Sequence, residues 1–492
     1  MTSNSRRNFV RSLASVPLAL WVSRFASAAD PLVRYDCRST KGQEMLRIYA
    51  DTVRKMQALR ENDPRGWVWQ WYTHFAGNTP KANEINRIFG SSPSAMRSLA
   101  DEMWNTCQSH AGQDPNHFLP WHRMYVLYFE SIIRELSGRA DFTLPYWNYT
   151  TDGGAAGIVP VQFRRSTDPV WNVLYRSDRS ANANAGRAIQ GTNTSQMDVT
   201  NLMRLTSYSN VGSASGFCRT IDSQIHGFIH VLVGNANNMG AVPFAARDPL
   251  FWVHHCNIDR LWASWNRAGR SNPTAAWGER EFVFADGKGQ RITGRLKNFF
   301  DTNSLGYVYE NYVSVPAARA ADLAMVASGR ASASVRVAQA DHHASLSNGA
   351  AEVELTPLVT SKTAAMVEET TRAAREGKRT YLVLKDLHTR AQPETLYNVY
   401  LQLPKGEVAG KSTVNLVGTI HFFDAQFHDH GNGHKADVVG ENFHSFDVTE
   451  LLAKLGREKA LDGRALKVTI AATGVPVAGA DPMVGTIALV RQ

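Results

Sequence analysis

Two histidines four residues apart, His226 and His230 in His-Gly-Phe-Ile-His, share one face of a helix and can offer both imidazoles to one point. A second run, Asp248-Pro-Leu-Phe-Trp-Val-His254-His255-Cys-Asn-Ile-Asp259-Arg-Leu-Trp262, brings a further imidazole pair. Three imidazoles converging from two helices make a metal site. The N-terminal half repeats the arrangement: His74 lies in an aromatic run, His122 opens an apolar stretch, and His110 and His117 fall in the loop between them. The sets hold no carboxylate, which excludes calcium and magnesium with their demand for oxygen. A zinc protease would carry Glu inside its two-histidine motif, where Gly227, Phe228 and Ile229 stand instead. Cys107 and Cys256, close to the sets, are compatible with zinc. Two matched all-histidine sets suit a pair of copper ions better, because imidazole is a good ligand for copper in both oxidation states.

Helices must hold these residues. Asp248 and Pro249 suit the start of one, an oxygen that caps it followed by a proline tolerated in its first turn. Ile258, Leu261, Trp262 and Trp265 continue it at helical spacing. From Trp121 an amphipathic helix runs through Ile132, Ile133 and Leu136, and Ile48, Val53, Met56 and Leu59 mark the apolar face of an earlier one. Residues 141–225, rich in Gly, Asn, Ser and Thr, read as long surface loops with a few short elements. Residues 314–350, Ala/Ser-rich, read as a linker that includes a solvated His342-His343 pair. Alternating patterns over Ala351–Leu355, Thr380–Leu384, Thr395–Leu403, Ser412–Phe423, Ala465–Ala471 and Val484–Val490 predict a C-terminal all-β sandwich over 351–492.

A chain of 492 residues, 43% hydrophobic, can bury a large core and suggests two domains. The formal charge of +9 is spread out, with Arg6, Arg7, Arg11 and Arg24 falling in residues 1–28, so nothing argues for nucleic acid. No later stretch is long and apolar enough to span a bilayer. The start itself is basic, then mildly apolar over Leu13–Val22, then Ala26-Ser27-Ala28, the form of a secretory signal. Its Arg6-Arg7-Asn8-Phe9 resembles the twin-arginine signal that exports folded proteins, which predicts a periplasmic or extracellular location. Four cysteines in a chain this long are not a disulfide scaffold, though Cys37 and Cys218 are available to pair.

Phe118-Leu-Pro-Trp-His122-Arg, His226-x-x-x-His230 and Asp248-Pro-x-Phe-x-x-His254-His255-x-x-x-Asp259-x-x-Trp262 resemble the type-3 dicopper proteins: tyrosinases, catechol oxidases and haemocyanins. The resemblance spans residues 30–313 and takes in Tyr307-x-Tyr309. It implies a mainly α catalytic domain, a four-helix bundle with one copper per helix pair, followed by a β domain similar in kind to the shielding domain of plant and fungal enzymes. It implies copper A on His74, His110 and His122, and copper B on His226, His230 and His255. Between His110 and His122 the spacing is longer than is usual in the family, which leaves His117 as an alternative. His254, about 100° round the helix from His255, is then a supporting residue. Cys107 is a candidate for a thioether to His110, with a buried thiol as the alternative. Gly227 and Val231 border the substrate side of copper B and Asp259 closes the motif. If the β domain shields the site, one of its aromatic side chains should lie over the coppers.

The activity this implies uses O2 as co-substrate to hydroxylate small monophenols at the ortho position and oxidise o-diphenols to o-quinones. A diphenol-only oxidase and an O2 carrier are the alternatives. Many family members have an Asn after the first copper B ligand, where this chain has Gly227; the small side chain gives bulky phenols room and favours the tyrosinase reading. His428-Asp-His430-Gly-Asn-Gly-His434 reads as a polar turn between strands, or as a secondary copper-binding loop.

Overall fold

The structure is a computed structural model, and it describes residues 30–77, 79–108, 114–150, 156–318, 334–360, 362–426, 443–461 and 465–492. The signal segment, His110, and the His428, His430 and His434 loop lie outside the described residues.

Among the described residues, five of the helices in the first domain frame the site around an aromatic core. Helix α1 (Thr40–Ala58) starts where the Ser39 hydroxyl accepts from the Gly42 N–H. Helix α2 (Trp67–His74) ends on its histidine. Helix α3 (Phe118–Ser137) stops at Gly138, whose φ of 72° is a left-handed cap that glycine adopts without strain. Helix α4 is a continuous run of Phe217–Ile221, a π turn at Asp222–His226, and Gly227–Val233. Helix α5 (Pro249–Arg267) starts as its sequence predicts, with Asp248 accepting from the Leu250 N–H and Pro249 in the first turn. A buried Arg179 holds the same carboxylate through two bonds of 2.8 and 2.6 Å. Among the described residues, the segment 141–225 contains only short helical turns, such as Ala181–Ala185 and Thr200–Arg204, before α4 begins.

Strand β1 (Leu32–Arg34) pairs in parallel with β4 (Tyr307–Tyr309), while β2 (Glu281–Ala285) and β3 (Arg291–Arg295) form a hairpin between them in sequence. The β1–β4 pairing brings both tyrosines of Tyr307-x-Tyr309 onto Asp259. Their hydroxyls donate to its Oδ2 at 2.7 and 2.6 Å, and Arg34 adds a bond at 2.8 Å. Arg34 also grips Glu130 of α3 through two bonds, and Arg123 reaches the other Asp259 oxygen. Burial pushes the Asp259 carboxyl up, but Arg123 and Arg34 outweigh it and hold it below the usual carboxylate range. Asp259 is therefore a clamp between α3, α5, β1 and β4. Its partners are arginines and tyrosines. Asp259→Asn leaves two buried guanidinium groups short of a counter-charge, so it is expected to cost about 3–5 kcal/mol of stability, read as a lower denaturant midpoint.

The second domain is one continuous nine-stranded sheet in the order β10-β9-β12-β7-β5-β13-β8-β11, with β6 also pairing β13. The strands are β5 (Val335–Ala340), β6 (Ala344–Ser345), β7 (Ala350–Pro357), β8 (Thr380–His388), β9 (Tyr397–Leu401), β10 (Leu416–Ile420), β11 (Phe443–Asp447), β12 (Leu466–Ala472) and β13 (Met483–Arg491). The sheet folds round on itself. Its two end strands meet where a Cβ at Gly418 would lie 2.3 Å from the Phe446 ring. Leu382, Leu384, Val399, Leu401, Val468 and Ile470 fill the interior. Two departures from the sequence reading are physical. β5 and β6 lie inside the stretch read as linker, where alanines and single charges hide the alternation. The region read as all-β also carries α6 (Thr363–Arg375) and α7 (Thr449–Arg457). Met366, Val367, Thr370 and Ala373 form the buried face of α6.

Candidate metal centre

The two histidine groups come together in the interior. His226, His230, His254 and His255 place one ring nitrogen each within 4.8 Å of one another, and His74, Cys107 and His122 do the same. The groups share a wall, because His255 stacks on His122 with ring centres 4.3 Å apart and planes 10° from parallel. All of these side chains are buried.

Backbone carbonyls aim the rings. Nδ1 of His122 bonds the Phe118 carbonyl at 2.8 Å, and Nδ1 of His230 bonds that of Met239 at 2.7 Å. Nδ1 of His226 faces the Asp222 carbonyl at 3.4 Å and its carboxylate at 3.1 Å. Each of these rings therefore turns Nε2 inward, and the His226 and His230 Nε2 atoms are 3.0 Å apart. The π turn supplies the extra residue that sets His226 over His230, and such turns recur at functional sites. Among the described residues, neither nitrogen of His255 and not Nε2 of His254 has a hydrogen-bond partner.

Burial depresses the pKa of His74, His122, His226, His230, His254 and His255, and His226 falls to about 3. Neutral, converging imidazoles with unpartnered nitrogens are the donor set that copper requires. The same burial sets a pH dependence. The unfolded chain takes up protons near the ordinary histidine value of about 6.5, and the folded chain does not. The metal-free protein should therefore lose stability progressively as pH falls below about 6.5, seen as a falling thermal midpoint.

The structure bears on three sequence readings. His254 does not point away: Tyr149 holds its Nδ1 at 2.9 Å and its Nε2 joins the His226 and His230 group. Helix phase fixes where a Cβ starts, and the imidazole's own torsions bring it back. His117 lies apart from both groups of converging nitrogens. Gln108 holds its Nδ1 at 3.1 Å, and its ring packs on Trp277 and Phe282. Cys37 and Cys218 do not pair; both are buried thiols, and burial raises Cys218 to about 12. Cys107 lies with Sγ 3.5 Å from Nε2 of His122, while Cys256 is a buried thiol that donates to the Leu144 carbonyl.

Among the described residues, two of the second domain reach the site, and no local pattern in the sequence marks either. Phe423, just past β10, stacks on His230 with ring centres 4.2 Å apart and planes 12° from parallel, and meets His226 edge-on. His421 lies against Gly227: a Cβ there would be 1.9 Å from its Nε2. Gly227 is thus small because an imidazole from the other domain fills its side-chain space. Val231, one residue beyond His230, is buried on the same helix.

Residues 65–268 match the model of the common central domain of tyrosinase. They form a tyrosinase-family domain. Residues 328–492 match a second model, a domain of unknown function designated DUF7868. The chain is 33% identical to Tyrosinase HcTyr1 of Hahella sp. (strain CCB-MM4) over 54% of this chain and 60% of that one. With Aureusidin synthase of Antirrhinum majus the identity is 27%, over 54% of this chain and 50% of that one. The alignments thus cover half to three-fifths of those relatives' lengths. The structure of latent apple tyrosinase superposes with a TM-score of 0.60 and 20% identity, over 95% of this chain and 98% of that one, a likeness of fold. The two-domain architecture, helical core and β domain, is that of the latent polyphenol oxidases. Within the tyrosinase-family domain, α2 and α3 carry one histidine group and α4 and α5 the other. The motif spacing of the sequence is thereby realised as two facing helix pairs.

Proposed function

We propose that the chain is a copper phenol oxidase of the tyrosinase type. It ortho-hydroxylates small monophenols and oxidises o-diphenols to o-quinones with O2, and the β domain holds it closed. One observation carries the reading: two adjacent, buried histidine groups whose imidazoles burial keeps neutral, with His254 and His255 nitrogens that have no hydrogen-bond partner. His74 and His122, with His110 by resemblance, would hold one copper; His226, His230 and His255 would hold the other. Copper bound there supplies the two-electron chemistry with O2 that phenol oxidation needs.

The protein's own part is positioning and exclusion. The carbonyls of Phe118 and Met239 fix two ring planes, and Asp222 fixes a third. Phe118 and Phe251 wall the groups with apolar surface, 4.7 Å from His226 and 4.2 Å from His255. Phe423 occupies the face of His230 where a phenol ring would stack. When Phe423 and His421 withdraw, the bare Gly227 leaves room beside His226 for a substituted phenol. This favours monophenol access. The lack of a polar side chain at 227 favours the diphenol-only reading. Quinone formation from tyrosine after a lag, shortened by dihydroxyphenylalanine, supports the first; activity on the diphenol alone refutes it.

Residues 1–28 support export of the folded protein. Changing Arg6 and Arg7 together to Lys is expected to leave the protein in the cytoplasm, measured by fractionation.

A further inference from the structure

Between the two domains lies a cavity of about 430 Å³ that the phenol chemistry does not use. Its size falls within the roughly 300–1,000 Å³ range of small-molecule sites. One wall is the segment from Ser195 to Phe228; the other is β10, β11 and Tyr381 of the β domain. The lining is rich in hydroxyls and carboxamides, with Gln196, Asn201 and Gln224 set among the aromatic rings of Phe228, Tyr381 and Phe446. Gln196 is buried, and its Oε1 has no hydrogen-bond partner. Asp198, Asp447 and Arg204 also line the space, a mixture that selects neither an anion nor a cation.

Aromatic platforms interleaved with carboxamides and hydroxyls suit a neutral ring bearing several hydroxyls. We propose that this cleft binds a sugar unit, free or carried on a phenol, and that its occupation holds the β domain closed over the histidines. The direction follows from the walls. A ligand that touches both domains binds the closed arrangement more tightly than the open one, so it shifts the population toward closed. The lever is short. Between Leu416 and Gly418 the β10 register breaks, and Val417 lines the cleft. Three residues beyond Gly418 comes His421, which meets Phe228 of the opposite wall edge-on at 6.0 Å. The effect on closure rests on the reading of Phe423 as the closing residue; the binding itself does not.

The test is calorimetric titration of the copper-loaded full chain with methyl β-D-glucoside, phenyl β-D-glucoside and phenol. Both glucosides should bind one per chain. Tighter binding of the phenyl compound indicates a glycosylated phenol, equal binding a free sugar, and either supports the site. Gln196→Leu should weaken glucoside binding tenfold or more, and Val417→Trp, which fills the cleft, should abolish it. Saturating glucoside should raise the detergent concentration needed to release catechol oxidation in wild type and not in Val417→Trp. Absence of saturable glucoside binding, or binding unchanged in both variants, overturns the site. An unmoved detergent midpoint despite binding overturns the coupling. Because binding is read as heat, a chain inactive on phenols would still test it.

Discussion

His255→Ala is expected to lower copper content from two ions per chain to one and to abolish quinone formation, while the protein stays folded. His255 is the shared element of the two groups: its ring meets His122 at 4.3 Å, His226 at 5.1 Å and His230 at 5.9 Å. Both of its nitrogens are buried without a protein partner, an unmet demand that a metal bond relieves at one of them. The comparison that gives the test its edge is His254→Ala. His254 is tied to Tyr149 on one side and meets only the His226, His230 and His255 rings of the groups. Acting as support, it should cost about 10–100-fold in copper affinity, with copper and activity restored by excess metal. The opposite pattern, loss of one copper in His254→Ala and retention in His255→Ala, would reassign the ligand to His254. Copper analysis after gel filtration reads both variants.

Phe423→Ala should release activity in the full chain without detergent or proteolysis. The stacked ring contributes on the order of 2 kcal/mol of burial to the closed arrangement. Its loss moves the open population by roughly thirtyfold, since about 1.4 kcal/mol is a factor of ten. Gly227→Leu should act in the same direction by a different route, because a side chain there cannot coexist with His421 at its present position. The measured quantity is the ratio of catechol oxidation before and after detergent. In wild type it should be small, and in Phe423→Ala it should approach one. A Phe423→Ala chain as latent as wild type would show that closure lies elsewhere.

The contrast between these two experiments reflects what the sequence could express. The histidines were legible because the determinants are local: a four-residue spacing puts His226 and His230 on one face, and Asp248-Pro249 starts the helix that delivers His255. The Tyr307 and Tyr309 pair could be placed at the end of the core, but its role needed the β1–β4 pairing across the length of the domain. Phe423 and His421 were illegible because nothing local distinguishes them; they end a strand and become functional only when the second domain docks. The π turn at Asp222–His226 left no pattern of its own, since one added residue only perturbs an otherwise helical run. The Nε2 of His254 joins the His226 and His230 group because helix phase describes backbone direction and not the reach of a side chain. The helix α6 had the amphipathic signal in Met366, Val367, Thr370 and Ala373, and a region read by its strands concealed it.

Gly227 belongs to both the histidine site and its cover. It is at once the residue after His226 and the floor on which the β domain's His421 rests. The site and its cover are therefore matched in shape, and changes to either should be felt in the other.

The buried histidine groups are expected to hold a pair of copper ions. This is tested most directly by metal analysis of the purified full-length chain. Two copper ions per chain, falling to one in His230→Ala, is the predicted result. One metal ion per chain, or zinc in place of copper at both positions after growth with both metals available, would contradict it.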